Sequence, residues 1–142
     1  MGIAKAAAWQ SPVVLTFSAG PNAALLTSPD VGIWLADADA ELVWAAEIHA
    51  TLGTDGSPVT ADLVRCASAV AAASGTSLLS STFNLKATIN TRQLKSVSTG
   101  GLAAARLIYA GESLAINFAG VMTALTGVNI TVVLNRIGRP TW

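Results

Sequence analysis

Every second residue is apolar along one stretch in the first half of the chain, from Glu41 to Leu52, and its polar residues lie at the positions between. One side of this stretch, drawn as an extended chain, carries Leu42, Trp44, Ala46, Ile48, Ala50 and Leu52. A repeat of two residues is typical of a β-strand with one buried face. We therefore expect Trp44 in the core, and Glu47 and His49 on the less apolar, opposite face.

The residues that follow have the composition of a turn. Residues 53–58 read GTDGSP, with an Asp-Gly pair at the centre, and such pairs are favoured in tight hairpin turns. Alternation then resumes from Val59 to Ala67. The sequence therefore predicts a β-hairpin whose first strand carries Glu47 and His49.

Short β-rich runs continue along the rest of the chain. The predicted strands are 13–17, 31–36, 78–91, 92–98, 113–120 and 129–137. Residues 68–77 read as a loop with one helical turn, 121–128 as a turn or loop, and 102–110 fit either a strand or a helix. Many short strands separated by turns predict an all-β fold, an antiparallel β-sandwich of the jelly-roll type. We expect this domain at 13–142, after an extended N-terminal arm at 1–12.

The composition predicts an assembling protein. Of the 142 residues, 52% are hydrophobic and only 11% are charged, against about 25% charged in typical soluble domains. Large apolar patches on a soluble protein usually mark contact surfaces. We expect an oligomer or an assembly component, and a very apolar monomer is the alternative.

Membrane insertion and secretion are not expected. Residues 113–135 carry no formal charge and are long enough to span a bilayer, but asparagines, threonines and two glycines interrupt them. The N-terminal MGIAKAAAWQSPVV is a poor signal peptide, because Gln10, Ser11 and Pro12 cut its short apolar run. We therefore expect synthesis in the cytoplasm and no membrane partner.

Charge is divided unevenly between the two halves of the chain. Residues 1–63 carry one lysine against seven carboxylates, a net charge of −6, and residues 64–142 carry seven basic residues against one glutamate, a net charge of +6. Acidic and basic strands that interleave within one sandwich would explain this, as would a two-signed surface that orients a partner. The basic half lacks the dense Lys/Arg clusters of nucleic-acid-binding proteins, so we expect no nucleic-acid partner.

The residues offer little for catalysis. His49 is the only histidine and Cys66 the only cysteine, so neither a metal cluster nor an internal disulfide is expected. Glu47 and His49 are two residues apart on one face of a strand and could form an acid–base pair. No serine-nucleophile motif or Gly-rich phosphate loop accompanies them. We therefore predict no enzyme, no cofactor and no metal, and a surface or subunit-contact role for both residues.

Three stretches carry a resemblance to a known group: EIHATLGTDGSPVTADL, SGTSLLSSTFNLKATINT, and LAAARLIYAGESLAINFAGVMTALTGVNITVVLNRI. Together they resemble small head-decoration (cement) proteins of tailed bacteriophages and prophages, over residues 47–137. The motifs are packing and turn motifs without a catalytic signature. Glu112 stands where that group more commonly has aspartate, and TINTRQ departs slightly from its pattern.

The resemblance implies a viral structural protein that binds the exterior of the phage head as a homotrimer and bridges major capsid subunits. It implies a location on the capsid exterior of the virion. The first 46 residues lie outside the match, so contacts made by the arm are our own inference. We expect a subunit or capsid interface that includes Trp9, Pro12, Glu47, His49 and Trp142. The alternative is a phage carbohydrate- or receptor-binding jelly-roll module, which would need exposed aromatic side chains near a shallow groove.

Overall fold

The computed structural model describes residues 12–18, 30–54, 57–96 and 106–137. Trp9, Trp142 and all of the expected arm except Pro12 lie outside the described residues. The described strands are β1 (Pro12–Ser18), β2 (Asp30–Leu35), β3 (Ala40–Ile48), β4 (Thr60–Cys66), β5 (Thr76–Ser77), β6 (Phe83–Asn84), β7 (Gln93–Lys95), β8 (Leu107–Ile108), β9 (Ser113–Ala119) and β10 (Asn129–Arg136).

The strands form two antiparallel sheets. Sheet A has the order β1-β10-β3-β7, with β8 also paired to β3, and sheet B has the order β2-β9-β4-β5, with β6 also paired to β4. The first strand thus lies beside the last, and the second beside the ninth. The predicted all-β antiparallel sandwich is confirmed.

Alternation on the late strands places their apolar side chains between the two sheets. On β9, Leu114, Ile116 and Phe118 are buried, as the sequence pattern predicts. The same core cluster receives Ile130, Val132 and Leu134 from β10, together with Leu42, Leu63, Leu78, Phe83, Leu85 and Ile108. These branched and aromatic side chains pack well on pleated sheets, so packing between the sheets is the main source of stability.

A bulge in β3 overturns the predicted faces of that strand. Trp44 lies opposite Val133 of β10, but Leu42 lies opposite Leu134, so Val43 is an extra residue in the pairing. A bulge of this kind reverses which side chains point inward beyond it. Glu47 is therefore buried and Trp44 is exposed. The expectations that Trp44 belongs to the core and that Glu47 lies on an exposed face were both wrong.

The predicted hairpin was also wrong. β3 belongs to sheet A and β4 to sheet B, so the chain between them crosses from one sheet to the other. Turn composition favours a reversal, but it does not specify whether the next strand pairs with the previous one. Asp55 and Gly56, at the centre of the predicted turn, lie outside the described residues.

The segment between β4 and β5 packs on the outer face of sheet B. It contains a single 3-10 turn, Ala72–Ser74, which agrees with the predicted loop with one helical turn. Ala72 is buried with Val64 and Cys66 in a small second apolar cluster. Gly75 approaches closely: a Cβ there would lie 2.8 Å from the Cys66 sulfur. In contrast, the strand predicted at 78–91 is mostly turns, with strand only at β6.

Ion pairs join the acidic and basic halves of the chain. Arg136 lies 2.9 Å from Asp37, and Arg106 lies 2.7 Å from Glu41. Each pair takes one residue from either side of the charge division. The uneven charge along the sequence is therefore at least partly cancelled in space, as the interleaving interpretation predicts.

Candidate functional site: a buried polar cluster and an uncharged sheet face

Glu47 and His49 form a closed hydrogen-bonded pair inside the fold. The Glu47 Oε1 atom lies 2.9 Å from His49 Nδ1, and His49 Nε2 lies 3.1 Å from the carbonyl oxygen of Ala87. Each residue is only 1% exposed. A carbonyl oxygen only accepts, so Nε2 carries a hydrogen and donates it. The Nδ1–Oε1 contact then also needs a proton, held by either the imidazole or the carboxyl group.

Gln93 completes the cluster from the neighbouring strand. Its Nε2 donates to Glu47 Oε2 at 2.7 Å and to the carbonyl oxygen of Asn84 at 2.8 Å. Its Oε1 accepts the backbone N–H of Asn84 at 3.0 Å. Gln93 lies directly opposite Glu47 in the pairing of β7 with β3. Sequence reasoning missed Gln93, because only the register of two distant strands brings it to the pair.

The electrostatics of the cluster fit a structural role. Burial raises the pKa of the Glu47 carboxyl group, and the hydrogen bonds from His49 and Gln93 oppose that rise. Both ring nitrogens of His49 already have partners, and neither side chain reaches solvent. The cluster can fasten the end of β3 to residues 84–93, but it presents no group to a substrate.

Of the predicted interface residues, Glu47 and His49 are in contact, Pro12 lies apart from them, and Trp9 and Trp142 lie outside the described residues. Glu47 and His49 are buried, so their expected surface position is corrected, and their role at an interface stays a prediction. Pro12 is exposed at the start of β1, opposite Asn135. It therefore lies at the opposite end of sheet A from Glu47, which pairs with Ile130.

The described residues contain neither a candidate metal site nor a helix that could span a membrane. No group of three or more His, Cys, Asp or Glu residues in that part of the chain is placed to hold a metal ion. Among the same residues, no helix is long and apolar enough to cross a membrane.

A concave groove occupies the outer face of sheet A. Its volume is about 560 Å³. The residues that line it are Trp44, Ala46, Glu47, Ile48, Arg92, Leu94, Asn129 and Thr131. Leu94 is 57% exposed and Trp44 is 36% exposed. Large apolar side chains are therefore open to solvent on strands whose other faces form the core.

Cross-strand pairing extends this uncharged surface to the edge of the sheet. Trp44 lies opposite Val133, which in turn lies opposite Val14 of β1. The next row contains Leu94, Ala46, Thr131 and Thr16. We call these two rows the uncharged face; the groove that adjoins them is also lined by Glu47 and Arg92. Such a surface, on described strands with no charged residue in either row, is typical of a protein contact.

Comparison with known proteins gives one distant likeness. No family model matches the chain, and no curated protein matches it. A solved structure described as the cyanophage Pam1 capsid asymmetric unit contains a similar chain, with 14% sequence identity and a TM-score of 0.49. The match covers 89% of this chain and 85% of that one. At this identity and TM-score the likeness carries no weight for function.

Proposed function

We propose that this chain is a non-enzymatic structural protein of a phage head, and specifically a decoration (cement) protein that binds the exterior of the shell and stabilises it. The sequence resemblance over residues 47–137 supports this function. The only histidine is closed off by Glu47 and Ala87, which argues against acid–base catalysis at the one place where the sequence offered it.

The uncharged face of sheet A is the observation that carries the proposal. A cement protein needs a rigid scaffold and apolar contact surfaces, and it needs no cofactor. A protein that binds only the assembled shell stabilises that shell by mass action. Contacts repeated by the symmetry of the shell then add up, even where each is weak.

The remaining parts of the proposal follow from the sequence. The nested strand order, first beside last and second beside ninth, supports assigning the sandwich at 13–142 to the jelly-roll type. The arm at 1–12 would extend from it. In this proposal the partners are the major capsid protein and two further copies of the chain. Trp9, Pro12 and Trp142 contribute contacts, and the protein is made in the host cytoplasm.

Shell stability tests this function. Purified protein is added to expanded heads that lack it, and the temperature at which the heads release their DNA is measured. Saturating amounts of protein should raise that temperature, whereas a variant with Leu94→Arg on the uncharged face should raise it less. Leu35→Arg is the matched control, since Leu35 is 62% exposed on sheet B. No change with the unaltered protein would contradict the proposal.

A second candidate function is favoured by the position of Trp44. A carbohydrate- or receptor-binding module needs an exposed aromatic ring beside a groove, and Trp44 provides one next to Asn129 and Thr131. The mostly apolar lining fits a sugar less well than a protein, because sugars need several converging hydrogen bonds. A glycan array probed with the purified protein and with the Trp44→Ala variant distinguishes the two functions. Glycan binding that is lost in Trp44→Ala would favour the second function.

A further inference from the structure

Residues 86–92 form an exposed loop that is attached to His49. Within the loop only Ala87 is partly buried, and its other residues are exposed. The His49 ring donates from Nε2 to the carbonyl oxygen of Ala87 at 3.1 Å, and the His49 carbonyl oxygen accepts the backbone N–H of Asn90 at 2.8 Å. A segment with so little buried surface opens locally at a low cost in free energy. The loop 86–92 therefore depends strongly on these hydrogen bonds for its position.

The two contacts of the His49 ring need two hydrogens. One lies between Nε2 and the Ala87 oxygen, and the other lies between Nδ1 and Glu47 Oε1. The Ala87 oxygen supplies none, so both come from the imidazole and the carboxyl group. A neutral imidazole beside a carboxylate has only one such hydrogen. If the pair loses the proton that it shares, one of the two contacts is therefore lost.

The enclosed charge determines which contact is lost. Without the shared proton Glu47 is a carboxylate, although this residue is only 1% exposed. A hydrogen bond to an ionised acceptor is roughly twice as strong as one between neutral groups. The remaining imidazole hydrogen therefore lies on Nδ1, facing Glu47, and Nε2 presents a lone pair to the Ala87 oxygen. Two acceptors in that position repel each other, so the loop 86–92 loses its attachment at Ala87.

The charged residues around the pair are largely exposed to water. The loop and β7 carry Lys86, Arg92 and Lys95, of which the first two are exposed and the third is partly exposed. On the other side of β3, β10 places the apolar Ile130 opposite Glu47. Exposed charges are screened by water and salt. The three basic residues therefore favour the carboxylate form of the pair only weakly.

The shared proton is lost as the pH rises. Burial raises the pKa of the Glu47 carboxyl group above 4.5, and the interactions that oppose this rise come from His49 and Gln93. The pair therefore keeps its proton at acidic pH. It gives the proton up at a pH above the ordinary carboxyl value, and the attachment of the loop 86–92 is lost in the same direction.

We propose that the loop 86–92 is a pH-sensitive element, fastened to His49 while its pair with Glu47 holds the shared proton and released when that proton is lost. Loop residues line two concave sites: Arg92 lines the groove on sheet A, and Ile89 lines a second hollow. Release of the loop changes the shape of both. The inference goes beyond the proposed function, because the switch belongs to the isolated chain and needs no capsid.

Nitrogen NMR of the full-length protein tests the proton count. His49 is the only histidine, so isotope-labelled histidine gives signals from one ring, and the shift of each nitrogen reports whether it carries a hydrogen. As the pH rises from 4.5 through neutrality, Nε2 should lose its hydrogen while Nδ1 keeps one. In Glu47→Gln, whose side-chain amide donates to Nδ1 without ionising, Nε2 should keep its hydrogen throughout.

Amide hydrogen exchange measures the release of the loop. Relative to the intrinsic exchange rate at each pH, the protection of the Asn90 amide should fall about tenfold or more over the same pH range, because one unit of pKa change on opening alters the opening equilibrium about tenfold. Glu47→Gln should abolish this response. Asp62→Asn is the matched control and should leave it unchanged, since burial also raises the pKa of Asp62, which accepts a hydrogen bond from Ser77 on sheet B.

A hydrogen that stays on Nε2 at every pH, or one that is lost from Nδ1 instead, would overturn the proposal. Protection of Asn90 that does not depend on pH would also overturn it, as would a response that persists in Glu47→Gln. If that variant does not fold, the nitrogen signals of the wild-type protein decide on their own. Each of these measurements concerns the isolated protein, so a failure here would leave the proposed function intact.

Discussion

His49 Nδ1 lies 2.9 Å from Glu47 Oε1, and both side chains are enclosed by the fold. This pair, which the sequence offers as the best candidate for chemistry, is instead held by Gln93 and the Ala87 carbonyl group. Each member of the pair also has a second partner. Removal of either one therefore leaves a single buried atom, Glu47 Oε1 or His49 Nδ1, without its hydrogen bond.

We predict that His49→Ala lowers the free energy of unfolding by roughly 1–3 kcal/mol, because the buried Glu47 Oε1 loses its hydrogen-bond partner. Urea denaturation followed by tryptophan fluorescence measures this. The neighbouring Ile48→Ala is the control: Ile48 is partly exposed, so the loss should be much smaller. Equal, small losses in both variants would show that the pair does not support the fold.

The raised pKa of Glu47 predicts a pH dependence. Burial raises this pKa above its ordinary value of 4.5, so the folded state binds the proton more tightly than the unfolded state. The resulting stabilisation is fully present below 4.5 and is lost as pH rises through the folded-state pKa. Compared with Glu47→Gln, which cannot ionise, the wild type should lose stability as pH rises from below 4.5 towards neutrality. If the stability of the wild type relative to Glu47→Gln stayed constant or increased as pH rises, the raised pKa of Glu47 would be contradicted.

Replacing Gln93 tests the third member of the cluster. Gln93→Glu removes the donor to Glu47 Oε2 and puts a second carboxyl group beside the first, whereas Gln93→Ala removes only the hydrogen bonds. Gln93→Glu should therefore destabilise the fold more than Gln93→Ala at neutral pH, by about 1–3 kcal/mol. At acidic pH the difference in stability between the two variants should become smaller, because protonation of the carboxyl groups removes their repulsion. Denaturation curves at acidic and neutral pH measure the free energy of unfolding of both variants. Equal losses of stability at neutral pH would contradict the hydrogen bond from Gln93 to Glu47.

Alanine substitutions at two glycines with the same φ angle distinguish the cost of backbone strain from the cost of a steric clash. Gly111 and Gly120 both have φ of +89°, but of the two only Gly120 has no room for a Cβ, which would clash with the carbonyl oxygen of Pro58. Gly111→Ala should cost about 1–2 kcal/mol of stability for the backbone angle alone. Gly120→Ala should cost clearly more, or prevent folding. Thermal unfolding gives the midpoint temperatures of the two variants. Similar midpoints would mean that the backbone at Gly120 shifts enough to avoid the clash.

The sequence predicted the sandwich because uninterrupted alternation is a local signal. Leu114, Ile116 and Phe118 are buried as that signal indicates. Alternation failed on β3, because the bulge at Val43 depends on how β10 pairs with β3 and leaves no mark in the sequence of β3 alone. Trp44 was consequently assigned to the core, although it lines the groove.

The candidate sites depended still more on long-range pairing. The proximity of Glu47 and His49 could be predicted from their spacing, but their burial could not. Gln93 is 46 residues from Glu47, and Leu94 reaches the groove through the same strand pairing. The sequence alone shows the residues of the buried cluster and of the groove. It does not show the pairing register of β3 and β7 that brings them together.

The presence of the protein on purified heads tests the proposed function most directly. A reconstruction of intact virions, together with quantitative mass spectrometry of purified heads, would measure occupancy and position. The proposed function predicts this β-sandwich on the outer surface of the shell, in a fixed ratio to the major capsid protein and grouped in threes. Virions whose heads lack the protein, or carry it only at the tail, would contradict the proposed function.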